Sequence, residues 1–464
     1  MKLLTGLSLL PCHEPKSVYK CIACEKTYSL DRLLYTCPEC KSLLRIVDEN
    51  FSALKARSGK EWRQVFDLRR SLDVAGLRGI FLFHELILPH IPLEDVIFLG
   101  EGHTPLIRAN GELCEWLGAD FHVKNDGQNP SASFKDRGMA SAISFLNNYI
   151  KRNKPDTVLG ICASTGDTSA AAALYLSYLP KSAVKSVVLL PKGKVTPQQL
   201  GQPLGSGATV VEIPGVFDDC MKIVEQLAEK YDVFLLNSKN PVRITGQKSF
   251  AFEVAQQSGW KTSGLTVAVP IGNAGNVTAI MEGFLDLENL GIIDGLPVIL
   301  GVQSHHANPV ARWRDTGEYH PMTVSPSVAQ AAMIGNPVSF PKVRGLVEKY
   351  FKEKFTAVTV TEQEIMDSML LSNRHGHVVC TQGGEAIAGL KRALAEGKVS
   401  RNGRFVCDST SHQLKFAGFQ QDYFEGKLVE GFGVESKPEL VNKPVGMEAD
   451  AGSIAAKLGL KPRK

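Results

Sequence analysis

From about Gly100 onward one pattern recurs: an apolar, β-branched run ends in a Gly- or Ser-rich turn, and roughly 10 to 15 residues of helical periodicity follow. The clear runs are Thr157-Val-Leu-Gly-Ile-Cys-Ala163, Ser186-Val-Val-Leu-Leu190, Leu265-Thr-Val-Ala-Val269, Pro297-Val-Ile-Leu-Gly-Val302 and Arg404-Phe-Val-Cys407. Strands that stay apolar without alternation are buried on both faces, as in a parallel sheet wound with helices. The expected fold class is therefore α/β. In such sheets ligands lie beyond the carboxyl ends of the strands, so the turns after these runs are where chemistry is to be sought.

Ahead of this body stand two Cys-x-x-Cys pairs, Cys21 with Cys24 and Cys37 with Cys40, separated by twelve residues. Two such turns can bring four thiolates onto one tetrahedral ion, which predicts a structural zinc with no open coordination position. The other six cysteines are scattered, a usage that fits a reducing cytosol and a cytoplasmic protein better than a disulfide framework. The expected organisation is a zinc ribbon over 1–50, a helical connector over 51–99 and a catalytic domain over 100–420, with a smaller subdomain inserted at about 138–245. A tail over 421–464, rich in Lys, Glu, Gly and Pro, is expected to pack loosely.

Charge and hydropathy exclude little but point the same way. The 52 Lys and Arg against 48 Asp and Glu leave +4 over 464 residues, without a long basic block, so no nucleic-acid partner is expected. No window approaches the roughly 18 apolar residues that cross a bilayer, so no membrane association is expected either. The short apolar stretch in Met1–Leu10 ends at Pro11 and reads as the first strand or turn rather than a secretory signal.

Three strand-turn-helix junctions carry candidate chemistry. Lys135, in Ser133-Phe-Lys-Asp-Arg137, follows a Pro-bearing loop at a helix start, where positive potential favours the nucleophilic free amine. Gly272-Asn273-Ala274-Gly275-Asn276 leads a buried strand into a helix and can present backbone N–H groups to a phosphate. After the last strand, the hydroxyls of Ser409, Thr410 and Ser411 are placed to hydrogen-bond a heterocyclic nitrogen. Amine, phosphate cradle and ring-nitrogen partner together describe a pyridoxal-phosphate site.

With Gly102-His-Thr-Pro105, Ala163-Ser-Thr-Gly-Asp-Thr168, Asn237-Ser-Lys-Asn-Pro-Val-Arg243, Gly246-Gln-Lys248, Gly335-Asn-Pro-Val338 and Ser409-Thr-Ser-His-Gln-Leu-Lys415, the chain over about 100–420 resembles the threonine synthases. These belong to the fold type II, tryptophan-synthase-β-like pyridoxal-phosphate enzymes, some with a zinc-ribbon-like N-terminus. The resemblance implies two wound parallel-sheet domains and Lys135 as the covalent holder of pyridoxal 5′-phosphate and the proton carrier. It also implies Gly272, Asn273, Ala274, Gly275 and Asn276 as the phosphate cradle, Thr410 at the ring nitrogen and Asp167 at the ring oxygen. Ser164, Thr165 and Thr168 then match the substrate-carboxylate site, and Asn237, Ser238 and Arg243 the clamp for a substrate phosphate, suited to a guanidinium fork. The implied reaction turns O-phospho-L-homoserine and water into L-threonine and phosphate, in a homodimer. Two alternatives stand beside it: a cysteate-synthase-like relative using phosphoserine and sulfite, and a zinc-ribbon binding protein on an inactive scaffold.

Overall fold

The computed structural model describes residues 7–164, 166–192, 197–214, 217–228 and 230–463. The start of the N-terminal stretch, 1–6, lies outside them. The ribbon is an antiparallel sheet of β1 (Ser17–Cys21), β2 (Thr27–Ser29) and β3 (Leu44–Asp48), in the order β2-β1-β3. The connector holds α1 (Gly59–Ser71), opened by a capping box between Ser58 and Glu61. Trp62, Val65 and Phe66 form its buried face, the spacing of an amphipathic helix.

Two further sheets follow. After β4 (Leu106–Arg108), β5 (Phe121–Asn125) and the long helix α2 (Lys135–Asn153), the chain leaves to build a smaller unit. That unit contains β6 (Val158–Ala163), α3 (Asp167–Leu176), β7 (Val184–Pro191), β8 (Thr209–Ile213) and β9 (Val233–Leu235), a four-stranded parallel sheet ordered β8-β7-β6-β9. The chain returns through α4 (Pro241–Gln247) and α5 (Ser249–Gln257) to β10 (Leu265–Pro270), α6 (Gly275–Asn289), β11 (Val298–Ser304), α7 (Phe340–Lys349), β12 (Phe355–Val360), α8 (Thr381–Ala395) and β13 (Arg404–Ser409). The six-stranded order is β12-β11-β10-β13-β5-β4, parallel except for β4. Every residue of β10 is buried, as expected of a central strand covered by helices on both faces.

Strands β10, β13 and β5 are neighbours, so their carboxyl ends open side by side. The loop before Lys135 is tied to the segment after β13: Phe134 N donates to Thr410 O (2.8 Å) and His412 N to Ala132 O (3.0 Å). Helices α2 and α4, the two connections to the smaller sheet, cross through a reciprocal pair of glycines. A Cβ on Gly246 would stand 2.2 Å from Arg137 O, and one on Gly138 would stand 2.9 Å from Arg243 O. Only bare backbone permits this approach.

Beneath the crossing lies a fully buried ionic cluster. Arg137 donates through Nε and Nη2 to both oxygens of Asp126 (2.7 and 2.8 Å) and through Nη1 and Nη2 to both oxygens of Glu253 (2.6 and 2.9 Å). Lys124 Nζ donates to Glu253 Oε2 (2.7 Å), Thr104 O (2.6 Å) and Gln257 Oε1 (2.9 Å). Burial alone would raise the Glu253 carboxyl, but Arg137 and Lys124 overrule it and hold it well below the usual carboxylate range.

The ribbon docks on the smaller sheet at its edge. Tyr35 Oη donates to Val233 O (2.8 Å) and accepts from Leu235 N (2.9 Å), occupying backbone groups that the edge strand β9 would otherwise leave open. The tail differs from the expectation of loose packing: Tyr423, Leu428, Val434 and Leu440 are buried against the core of the larger sheet. Their irregular spacing gives no period to read in the sequence. Beyond Val441 the described residues are almost all exposed. No helix among the described residues is long and apolar enough to cross a membrane.

Glu253→Gln leaves two buried cations with one carboxylate, so it should lower unfolding free energy by about 3–5 kcal/mol in denaturant titrations. In the parent the carboxylate is stabilising at neutral pH, and the mutational difference should begin to narrow as pH falls through the ordinary carboxylate range and go on narrowing below it, down to the depressed native value.

Candidate active site

A cleft of about 700 Å³ opens where the three strand ends meet, lined among others by Lys135, Asp167, Ser238, Arg243, Gly272–Asn276 and Thr410. Lys135 and Thr410, 275 positions apart in the chain, thus share one cavity.

Lys135 is the first residue of α2, with its Nζ 4.2 Å from the ring centroid of Phe134. Burial and, after it, the Arg243 guanidinium push its amine down to about 8 against the opposing pull of Asp167. At neutral to mildly alkaline pH a sizeable fraction is therefore the free nucleophile.

The segment 272–276 bends sharply. Ala274 takes a left-handed conformation (φ 61°) and caps α6, so the first amides of a helix of 15 residues are left without intrahelical partners at the cleft. Gly272 is closely packed: a Cβ there would lie 3.1 Å from Ala331 O and from Ala332 Cα, so the facing backbone would have to yield by a few tenths of an ångström. Asn273 closes the far side by accepting from Ser339 N through its carbonyl (3.1 Å), and Asn276 Nδ2 donates to Asp408 Oδ2 (2.8 Å). Thr410 follows β13, with its Oγ1 3.6 Å from Cys380 Sγ.

The amine, the open amides and the hydroxyl surround one volume, so these residues fit pyridoxal phosphate: Lys135 to bind its aldehyde carbon, 272–276 its phosphate and Thr410 its ring nitrogen. Asp167 is buried at the start of α3 and held by Ser411 Oγ and by Lys415 Nζ (3.1 Å). Its charge thus has an ion-pair partner in Lys415, from the segment after β13, although that oxygen makes no well-aligned hydrogen bond.

The residues read as substrate contacts divide. Arg243 is 2% exposed. Its Nη1 donates to Leu236 O (2.7 Å), its Nε has no partner, and no carboxylate pairs with it among the described residues. Burial pushes it down to about 10, which still leaves it a cation at neutral pH. Ser238 lines the same wall. Asn237 instead spans the end of β6, donating from Nδ2 to Ala163 O (2.6 Å) and accepting from Ala163 N at Oδ1 (3.0 Å). Both ends of its amide are occupied, so in this geometry it shapes the wall rather than facing the cleft. Ser164 and Thr168 are half-buried around the start of α3, Ser164 Oγ accepting from Gly166 N (3.3 Å). Thr165 lies outside the described residues.

Gln247 and Gln382 also line the cleft, and no role was expected of either. Gln247 Oε1 and both amide atoms of Gln382 are buried without hydrogen-bond partners, open valences aimed at a polar occupant. Both sit in motifs visible in the sequence, Gly246-Gln-Lys248 and Cys380-Thr-Gln-Gly-Gly-Glu385, but glutamine alone signals no chemistry.

The cysteines of the ribbon converge. All four Sγ atoms lie within 4.8 Å of one another, with Cys21–Cys40 at 3.4 Å and Cys24 at 3.6 Å from both Cys37 and Cys40. A tetrahedron of thiolates on zinc has edges of about 3.8 Å, so the set fits that ion. Each knuckle ends on a left-handed residue, Glu25 (φ 59°) and Lys41 (φ 61°), which turns the chain back after its second cysteine.

This geometry defines a fold type II pyridoxal-phosphate enzyme, and the chain belongs to the pyridoxal-phosphate dependent enzyme family, whose signature matches residues 97–410. Its relatives narrow the class to threonine synthases. The threonine synthase of Methanocaldococcus jannaschii is 38% identical over 402 residues, covering 85% of this chain and 92% of that protein. Threonine synthase 2, chloroplastic, of Arabidopsis thaliana is 34% identical over 435 residues, covering 92% and 81%. The crystal structure of threonine synthase from Escherichia coli shares the fold, with a TM-score of 0.64 at 19% identity over 95% of this chain and 99% of that one.

Coenzyme loading should report the Lys135 amine directly. With apoprotein and pyridoxal phosphate, the rate of appearance of the bound chromophore should climb with pH through about 8 and then level off. In Arg243→Gln, which removes a neighbouring positive charge, that inflection should move to higher pH.

Proposed function

We propose that the chain catalyses the threonine synthase reaction, converting O-phospho-L-homoserine and water into L-threonine and inorganic phosphate. One observation carries the choice of a phosphorylated substrate: a buried guanidinium, Arg243, faces the cleft with no anionic partner. An uncompensated buried cation is costly, and a substrate phosphate beside Ser238 relieves it. An unphosphorylated amino alcohol leaves it stranded, which is a strong basis for discrimination.

The rest of the wall serves the amino-acid end. The start of α3, with Ser164 and Thr168, offers hydroxyls and amides to the substrate carboxylate. Pyridoxal phosphate, when bound, supplies the electron sink for the carbanionic steps. Lys135 Nζ takes the proton from Cα and carries protons thereafter. Protons leave Cα and Cβ, the Cγ–O bond breaks with its electron pair going to phosphate, protons return at Cγ and Cα, and the hydroxyl of water joins Cβ while its remaining proton goes to the released phosphate. The ribbon takes no part in this chemistry. In this reading it holds a structural zinc and stabilises the fold at the edge of the smaller sheet. The homodimer implied by the family resemblance belongs to the same proposal and is checked by the native mass in solution.

Phosphate and threonine released from O-phospho-L-homoserine are the direct assay, with O-phosphoserine plus sulfite as the competing substrate pair. Equal or faster turnover of phosphoserine would overturn the reading. Lys135→Ala should abolish turnover while the fold persists. Arg243→Ala should reduce kcat/KM for the phosphorylated substrate by roughly a hundredfold or more, the loss expected for a charge-assisted contact. Chelation or Cys24→Ser should release one zinc per chain and lower the unfolding temperature, with much smaller effects on KM below that temperature.

A further inference from the structure

A second cavity, of about 980 Å³, lies between the ribbon and the catalytic body and shares no lining residue with the cleft. Its ribbon wall carries Ser17 and Arg45, and its body wall carries Thr245 and Lys248 beside α4 and Glu282, Leu285 and Asp286 of α6. Helices α4 and α6 therefore turn one face to each cavity.

Most charges on this lining are already matched. Glu85 is held by Arg69 through two bonds (2.7 and 2.6 Å), and Lys248 by Asp286 (2.6 Å). Asp48 accepts from Lys16 N (2.7 Å) and Asn50 N (3.0 Å) and pairs with His13. Two charges remain. Arg45 Nε is buried without a hydrogen-bond partner, as is the neighbouring Ser17 Oγ, so donors on the ribbon wall await an acceptor. On the body wall Glu282 acts on Lys342 and Asp286 only through space, with no hydrogen bond to either. Between these poles the lining is apolar, through Phe51, Leu86, Ile87, Leu285 and Leu346.

We infer that this cavity binds a small zwitterion, an α-amino acid with an apolar side chain, its carboxylate on Arg45 and Ser17 and its ammonium on Glu282. A simple anion fits poorly, because Glu282, Asp286 and Asp48 line the same space. A purely apolar ligand leaves Arg45 and Ser17 unsatisfied. The zwitterion meets both poles at once and covers the apolar strip between them. The site lies apart from the cleft, so the inference does not rest on the proposed reaction.

Calorimetric titration of the full-length holoenzyme with L-leucine, L-isoleucine, L-valine, L-methionine and L-phenylalanine tests it, with isocaproate and isoamylamine as the two half-molecules. At least one amino acid should bind about tenfold or more tighter than either half. Arg45→Ala and the near-isosteric Glu282→Gln should each weaken that binding by roughly tenfold to a hundredfold, as expected for loss of a charge-assisted contact. Turnover without the added amino acid should be unchanged in both variants. The inference is overturned if none of the five binds, if a half-molecule binds as well as the whole, or if binding survives both substitutions, which would put the amino acid in the cleft.

Discussion

The buried cluster of Arg137, Asp126, Glu253 and Lys124 is the constraint on which the rest of the site depends. Two cations and two carboxylates with no exposure at all are tolerable only when nearly every donor and lone pair is used, and here they are met from five separate segments. Lys124 comes from β5, Asp126 from the turn after it, Arg137 from α2, Glu253 from α5 and Thr104 from the loop before β4. The helix that bears the reactive amine can therefore adopt one position against the sheet. Lys135 stands two residues from Arg137, so its placement follows from the cluster. The pair resembles an anchor and its payload more than two independent catalytic features.

This explains which parts were legible in the sequence. The motifs around Gly102, Lys135, Gly272 and Thr410 could be read because each is a contiguous turn at a strand end, and turn chemistry is local. Their meaning was only partly visible. Thr104 and Arg137, quoted as motif residues, turn out to serve the ionic cluster, and Asn237 braces Ala163. Gln247 and Gln382 were missed because a neutral amide announces nothing until the wall around it is built. The burial of Tyr423, Leu428, Val434 and Leu440 was illegible for another reason: an irregular segment buries side chains wherever the surface it crosses has a hollow, without any period. Likewise, a cavity walled by a ribbon, a connector and three helices exists only once all of them are assembled.

Arg243 and Lys135 illustrate how a fold uses cost. Each charge alone would be better placed in water, and the cleft keeps both out of it, side by side and of like sign. The amine responds by releasing its proton near neutrality, and the guanidinium, which cannot, stays charged and unsatisfied. The same desolvation thus acts on both groups with opposite outcomes, freeing one amine and stranding one cation.

The glycine contact between α2 and α4 has a mechanical corollary. These two helices are the covalent links by which the smaller sheet joins the larger, and they touch backbone to backbone where Gly138 and Gly246 meet. A rotation of one sheet against the other would find its fulcrum there. Points near a fulcrum travel least, so the amine and the guanidinium would keep their spacing while the far rim, with Ser164 and Thr168 on it, sweeps the longer arc over whatever occupies the cleft.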